Sequence, residues 1–278
     1  MNDSLDVKRT AKLYINGAFP RSESGRTFVV NDQNNKFLAN VSKASRKDAR
    51  DAVVAARSAF NKWSDASAYN RGQVIYRIAE ILQGRSPQFI AELESAGVKK
   101  AAPHVLEAID KIVWYAGFSD KISMVVGSAN PVAGKFFNFS IPEPTGVVAV
   151  CVSNEPSLVN LVSQISAAIV SGNTVVVVVP ENSSLIAVSL AEVLATSDVP
   201  AGVVNILTGD SAELAPWLAS NLDVNAMDLS GISDKNLKTE LEASAATNLK
   251  RILRTFPDGL SAIKTYVEIK TVWHPQGF

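Results

Sequence analysis

The spacing of apolar positions changes several times along this chain, and each change marks an element. Residues 13–17, Leu-Tyr-Ile-Asn-Gly, read as a short strand entering a turn. Residues 27–32 read as a second strand, closed by a polar stretch to Lys36. From Ser45 to Trp63 the period becomes helical: Ala49, Ala52, Val53, Ala56 and Phe60 fall three and four apart on one face. Ser45 suits an N-cap, with Asp48 three positions on. Residues 70–83 repeat the pattern with Val74, Ile75, Ile78 and Leu82 inward, and helical stretches continue to about Lys121.

Beyond Phe136 the chain alternates between strands and helices. Residues 136–140 alternate as a strand, and 145–152 form an apolar β run ending at Ser153-Asn154-Glu155-Pro156. A helix over 158–170 follows, then the valine run 175–179, a helix over 185–196, a strand over 203–207, a helix over 212–219 and a strand over 226–229. Strand-helix alternation of this kind predicts an α/β fold with a doubly wound, Rossmann-like parallel sheet covered on both faces. Such sheets bind nucleotides at the carboxyl ends of their strands. Residues 235–253 read as a helix that Pro257-Asp258-Gly259 breaks, and 265–273 alternate at period two. Val267, Ile269, Thr271 and Trp273 share one face of this last strand; Tyr266, Glu268, Lys270 and Val272 share the other. It has no evident partner in the chain, so two readings stand: it completes its own sheet, or it pairs with a sheet edge of another subunit.

Composition narrows the function classes. Hydrophobic residues make up 47 % of the 278 and charged residues 19 %, as in globular proteins. Lys+Arg and Asp+Glu are 27 each, so no broad electrostatic footprint points to nucleic acid or an anionic membrane. Cys151 is the only cysteine, which rules out an internal disulfide and suggests a reducing, cytoplasmic setting. His104 and His274 show no ligand spacing, so no metal is expected. The first twelve residues are polar, unlike a signal peptide, and no run approaches the roughly 20 apolar residues of a spanning helix.

The order of short motifs then resembles the aldehyde dehydrogenase superfamily over most of the chain. Leu13-Tyr14-Ile15-Asn16-Gly17 is similar to its opening strand, and residues 52–60 to its first helix. Tyr115-Ala116-Gly117 with Lys121-Ile122, Phe136-Phe137 with Glu143-Pro144-Thr145-Gly146-Val147-Val148, Gly172-Asn173-Thr174 and Gly202-Val203-Val204-Asn205-Ile206 follow in family order. Each motif is weakly specific; their shared order carries the resemblance. In the family, the segment near Ser230-Gly231 leads to a Glu-Leu-Gly-Gly strand and a catalytic domain, and here neither is recognisable. Residues 266–272 instead resemble the family's last strand, which the resemblance pairs across the subunit interface with the arm around 136–144. The expected organisation is a nucleotide-binding domain over 1–254, with an N-terminal helical layer and a protruding β arm at about 130–146. A linker and oligomerisation strand would occupy 255–278.

The resemblance also assigns candidate residues. The family's mechanism uses a thiolate lying on the catalytic domain, so Cys151, inside an apolar strand, reads as a core residue. Asn154 aligns with the asparagine that donates to the oxyanion, a role left vestigial without a thiol beside it. Glu155 replaces a common aromatic there. For cofactor binding, Glu181 aligns with the acidic residue that accepts the adenosine ribose hydroxyls, and Ser230-Gly231 with the phosphate-side turn. Against this, the ribose-binding lysine is Val178, the pyrophosphate-contacting serine is Ile232, and a glycine is Asn236. Each lost donor costs roughly 1–3 kcal/mol, which together weakens NAD or NADP by about two orders of magnitude. The fold then either binds nucleotide weakly or no longer binds it.

Three functional readings follow. The chain is a non-catalytic accessory or regulatory subunit that oligomerises with itself or with a full-length aldehyde dehydrogenase, through the arm and the last strand. Alternatively it is an NAD(P)-dependent oxidoreductase subunit whose partner supplies the catalytic cysteine, or a simple nucleotide-binding module. A fourth reading, a degenerate duplicate with no function, stands beside these; the intact hydrophobic pattern argues against free drift, because random change soon destabilises a marginal fold.

Overall fold

The computed structural model describes residues 10–277, so most of the polar N-terminal segment lies outside the described residues. The chain begins with β1 (Thr10–Ala11), β2 (Thr27–Asn31) and β3 (Phe37–Ser42). Helices α1 (Arg46–Ser64), α2 (Ala68–Gly84), α3 (Ser86–Ser95), α4 (Ala101–Phe118) and α5 (Ile122–Val126) follow. The arm strands are β4 (Ser128–Asn130) and β5 (Phe136–Pro144). The repeating unit is β6 (Val147–Cys151), α6 (Leu158–Val170), β7 (Thr174–Val179), α7 (Ser184–Ala195), β8 (Val204–Thr208), α8 (Ser211–Ser220) and β9 (Ala226–Asp228). The chain closes with α9 (Lys235–Ala245), β10 (Arg251–Leu253), α10 (Gly259–Thr265) and β11 (Val267–Pro275).

The five-stranded sheet has the order β10-β9-β6-β7-β8, and every neighbouring pair is parallel. The chain winds from β6 outward to β8, then crosses back to β9 and β10 on the other side of β6. The two halves diverge between β6 and β9, which places a crevice at the carboxyl ends of these strands. Period-two alternation divides the core. Val175, Val177 and Val179 of β7 pack with α2, α4, α6 and α7 on one face. Val176 and Val178 pack with α1, α8 and α9 on the other. Each such valine, fully buried, contributes roughly 1.5–3 kcal/mol of transfer free energy. Helix α1 starts as its sequence dictates: Ser45 accepts from the Asp48 N–H, and the Asp48 carboxylate accepts from the Ser45 N–H.

Three sequence expectations need correction, and of the two readings of the last strand the structure bears out pairing within its own chain. Residues 13–17 do not form a strand; Tyr14 makes a single antiparallel bridge to Ile206, and the chain turns at Asn16 and Gly17, both at positive φ. Strand β3, which pairs with both β1 and β2, was not foreseen. The helix expected over 235–253 ends at Ala245, because Leu249 takes a left-handed φ of 56°. The Arg251 N–H then bonds the Asn225 carbonyl at 3.0 Å, and β10 joins the parallel sheet beside β9. A strand therefore does follow the Ser230-Gly231 turn, but it runs on into Arg254-Thr255-Phe256-Pro257, with no Glu-Leu-Gly-Gly. Finally, β11 has a partner within its own chain. It pairs antiparallel with β5 over nine residue pairs, from Val267–Pro144 to Pro275–Phe136. Tyr266 fixes that placement: its carbonyl accepts from the Thr145 N–H at 3.2 Å and from Asn173 Nδ2 at 2.8 Å.

Candidate functional site

The carboxyl ends of β6, β7, β8 and β9 line a cleft of about 410 Å³. Its floor is built by the turn after β9. At Gly231, an added Cβ would lie 2.3 Å from the Cys151 carbonyl oxygen, the Ser153 nitrogen and the Val152 carbonyl carbon. Only glycine lets the turn press on the end of β6, so this residue is fixed by packing before any ligand is considered. Gly231 and Ile232 line the cleft together with Asn154 and Glu181, which brings three of the sequence-predicted residues to one place.

Ser230, the fourth, points elsewhere. Its hydroxyl accepts from Gln164 Nε2 at 3.2 Å, and Gln164 also donates to Asp228 Oδ2 at 2.9 Å. The Ser230 N–H donates to Asp228 Oδ1 at 2.9 Å, and the Tyr266 hydroxyl lies 3.3 Å from Oδ2. The serine thus belongs to a buried polar cluster under the cleft floor. Asp228 is fully buried there. Burial raises its pKa, while the hydrogen bonds from Ser230, Gln164 and Tyr266 oppose that rise. Sequence reasoning missed this cluster because its members are spread over α6, β9, the turn after it and the end of α10; an aspartate inside an apolar strand was the one available signal.

The charge around the cleft does not favour phosphate. Lys43 is the single cation among its lining residues, against Glu181, Asp210 and Asp234. Helices α8 and α9 both present their N-termini here, where an anion would ordinarily be welcome. Each is already capped by its own carboxylate. Asp210 accepts from the Ala212 N–H at 2.8 Å, and Asp234 from the N–H groups of Asn236 at 2.8 Å and Leu237 at 3.3 Å. Lys43 in turn lies 3.7 Å from Glu213. Ile232 sets a branched apolar side chain at the phosphate turn, and Val178 is fully buried in the core. Glu181 lines the cleft, and Lys43 is the one cation there that could meet a phosphate.

Cys151 does not reach the cleft. It is fully buried in the core cluster that also holds Val147, Ala149 and Val178. Burial first, and the nearby Asp228 charge second, push its thiol up to about 12. A thiol in that state is neither ionised nor accessible. Among the described residues no thiol therefore lines the cleft. His104 likewise has a structural place: its Nε2 accepts from the Val159 N–H at 3.3 Å in the first turn of α6. Burial lowers its pKa, with Glu107 partly opposing. No helix among the described residues is long and apolar enough to cross a membrane.

With this geometry in view, the similarities to known proteins are specific. Residues 19–255 match the family described as aldehyde dehydrogenase family. The chain is 34 % identical over 258 residues to aldehyde dehydrogenase, cytosolic 1, of Elephantulus edwardii, covering 90 % of this chain and 50 % of that protein. It is 31 % identical over 250 residues to human aldehyde dehydrogenase 1A1, covering 87 % of this chain and 49 % of that one. Among solved structures, PnpE in complex with nicotinamide adenine dinucleotide superposes with a TM-score of 0.81 at 27 % identity, over 89 % of this chain and 51 % of the other. The NAD+ complex of an aldehyde dehydrogenase from Bacillus cereus gives 0.79 at 26 % identity, over 88 % and 50 %. The match ends at the close of β10, before α10 and β11, and the chain spans about half the length of the curated relatives it matches. This chain belongs to the aldehyde dehydrogenase family, and its cleft is the carboxyl-end crevice of that family's Rossmann-like domain.

Proposed function

We propose that this chain is a non-catalytic accessory subunit that assembles through its arm sheet, with itself or with a full-length aldehyde dehydrogenase. The observation that carries this reading is the state of the only thiol in these residues: Cys151 is buried, protonated and not among the residues that line the cleft. Attack on an aldehyde needs a thiolate within reach of the carbon. The arm sheet, by contrast, keeps its form and leaves Phe136, Phe137, Ile269 and Trp273 exposed. Phe136, Ile269 and Trp273 share one face of the sheet and Phe137 the other, and exposed apolar side chains of this kind can mark assembly surfaces. The cleft takes NAD or NADP weakly through Glu181, because its acidic caps and Ile232 oppose the pyrophosphate. A lone, unpaired cysteine fits a reducing compartment such as the cytoplasm.

The test is an NAD(P)-linked aldehyde oxidation assay on the purified chain, alone and at 1:1 with a full-length aldehyde dehydrogenase from the same cell. Light-scattering mass is recorded for each sample. No turnover by the chain alone, together with a defined assembly, is the expected result. Aldehyde oxidation by the chain alone sinks the proposal. A second reading, in which a partner supplies the cysteine to this cleft, draws on Asn154 lining it beside Glu181. That reading requires activity above the partner's own that Asn154→Ala abolishes.

A further inference from the structure

Beside the cleft lies a second cavity of about 390 Å³, and the two share Glu181 and Asn182 as a common wall. This cavity in turn shares Leu38, Glu92 and Leu185 with a smaller hollow of about 280 Å³. The two hollows make one groove, with β2 and β3 on one side and helices α3 and α7 on the other. The turn between β2 and β3 holds the small sheet to α3. Gln33 N–H donates to the Ser95 carbonyl at 2.9 Å, and Asp32 N–H to the Lys36 carbonyl at 2.8 Å. Asn35 completes the turn at a left-handed φ of 61°. The walls are mostly aliphatic, from Val29, Val30, Leu38, Ala91, Leu185 and Ile186.

Three carboxylates, Asp32, Glu92 and Glu181, line the same groove, and no lysine, arginine or histidine among the described residues does. Asp32 Oδ1 accepts from the N–H groups of Asn34 at 2.9 Å and Lys36 at 2.8 Å. Those bonds fix the side chain and leave Oδ2 without a hydrogen bond among the described residues. The Glu181 carboxylate also makes none there, although its backbone carbonyl accepts from the Ser184 hydroxyl at 2.6 Å. Glu92 is engaged: its Oε1 accepts from Gln88 Nε2 at 2.9 Å and from the Ser189 hydroxyl at 2.6 Å. It therefore adds negative charge to the groove.

We infer that this groove binds a linear aliphatic polyamine, with ammonium groups at Asp32 and Glu181 and the methylene chain along the aliphatic walls. The sign of the charge excludes an anion. The spread of the carboxylates excludes a bare metal ion. Such an ion needs several oxygens converging at roughly 2.0–2.6 Å, and no three His, Cys, Asp or Glu among the described residues form such a group. Carboxylates set apart along an apolar trough instead match a ligand whose charges are separated by hydrocarbon. Lysine side chains bind protein surfaces in the same manner, with the stem on apolar atoms and the ammonium in water. The larger hollow alone is within the roughly 300–1,000 Å³ of small-molecule sites. The inference goes beyond the accessory role and needs neither a partner subunit nor a nucleotide.

Equilibrium dialysis of the full chain at low ionic strength, with spermidine, 1,4-diaminobutane and n-butylamine as probes, tests the inference. Affinity is expected to rise from butylamine to diaminobutane to spermidine, about threefold per added ammonium, and to fall with added salt. Asp32→Asn keeps the acceptor that the turn uses, and Glu181→Gln keeps the side-chain shape. Each is expected to weaken spermidine about threefold, and the two together about tenfold. Ala91 is exposed on α3, so its replacement leaves the core alone. Ala91→Lys sets a cation on the groove wall and is expected to weaken spermidine at least about tenfold. Ala91→Gln, which fills similar space without charge, is expected to stay within about threefold of wild type. Equal affinity for the three amines, no spermidine bound at millimolar concentration, or an Ala91→Lys variant that binds like wild type each overturns the inference. Magnesium ion bound as tightly as spermidine also overturns it, because the groove would then accept any cation. None of these outcomes touches the accessory role, which is read from assembly and turnover.

Discussion

The two sheets at the ends of β5 solve opposite problems. The parallel sheet hides both faces: every residue of β6, β7 and β8 is buried. The arm sheet hides little, and seven of the nine residues of β11 are exposed. The first is closed to solvent on both faces, and the second leaves a surface open to it. Their composition follows that division. Valine and alanine fill the parallel strands, where close packing leaves no room for error. The arm mixes Phe, Trp, Thr and charged residues, and Lys270 pairs with Glu143 across β5 and β11. Polar side chains also knit it: Asn130 Nδ2 donates to Ser140 Oγ at 2.9 Å, and Ser140 and Thr271 share a hydrogen bond at 2.9 Å.

The sharpest way to break this contrast is at the joint between core and cleft. Gly231→Val sets a side chain against backbone atoms that cannot yield. It is expected to cost about 3–5 kcal/mol and to abolish soluble expression or shift the denaturant midpoint sharply. Next in size, Val177→Ala removes buried methyl groups from the middle of β7, for about 2 kcal/mol of stability. Trp273→Ala in the arm is expected to change monomer stability by less than about 1 kcal/mol while weakening association. Equal losses of stability for these two variants in urea titrations would erase the distinction between a folding sheet and an assembly sheet.

The parallel sheet was also the more legible of the two. Five consecutive valines bounded by Gly172-Asn173 and Pro180 admit few readings besides a buried strand. The Ser45–Asp48 capping box was visible because it is local. What escaped was non-local or short. Strand β10 is three residues long, and its place depends on a carbonyl of Asn225. The partner of β11 lies more than 100 residues away, and alternation shows that a strand exists without showing what it pairs with. At the site, Gly231 and Glu181 came from motif order. The acidic caps Asp210 and Asp234 have the local signature of helix starts, yet that signature does not tell that both helices aim at one cleft.

Under the cleft, Asp228 offers a smaller and more discriminating effect. Its pKa is raised in the folded chain, so the fold favours the protonated acid. A group of this kind adds stability below its unfolded pKa of roughly 3.9 and loses it as pH rises toward the folded value. Asp228→Asn keeps the shape and much of the hydrogen bonding without the charge. Its melting temperature at pH 8 is expected to equal or exceed that of the wild type, whereas Asp228→Leu, which strands Gln164 and the Ser230 N–H, melts lower. A clear loss in Asp228→Asn would mean the ionised carboxylate itself holds the Ser230-Gly231 turn.

The smallest effect concerns the start of α6, which leads out of the Asn154 loop toward the parallel sheet. His104 accepts the Val159 N–H only when Nε2 carries no proton, and burial holds its pKa below the ordinary imidazole value. The unfolded chain takes up a proton near pH 6.5 and the folded chain only lower, so stability is complete above about pH 6.5 and declines as pH falls toward the folded value. The slope approaches about 1.4 kcal/mol per pH unit at most, and Glu107 reduces the span by favouring the protonated ring. Carboxylates elsewhere also titrate as pH falls, so the informative quantity is a difference. In His104→Gln the amide oxygen accepts the same N–H at any pH. Urea titrations of both proteins from pH 7.5 to pH 5 are expected to show the wild type losing more stability than the variant, nearly all of the difference below pH 6.5. Parallel curves would mean that α6 opens at its first turn without cost, and that the helix is held by the valines beneath it rather than by its cap.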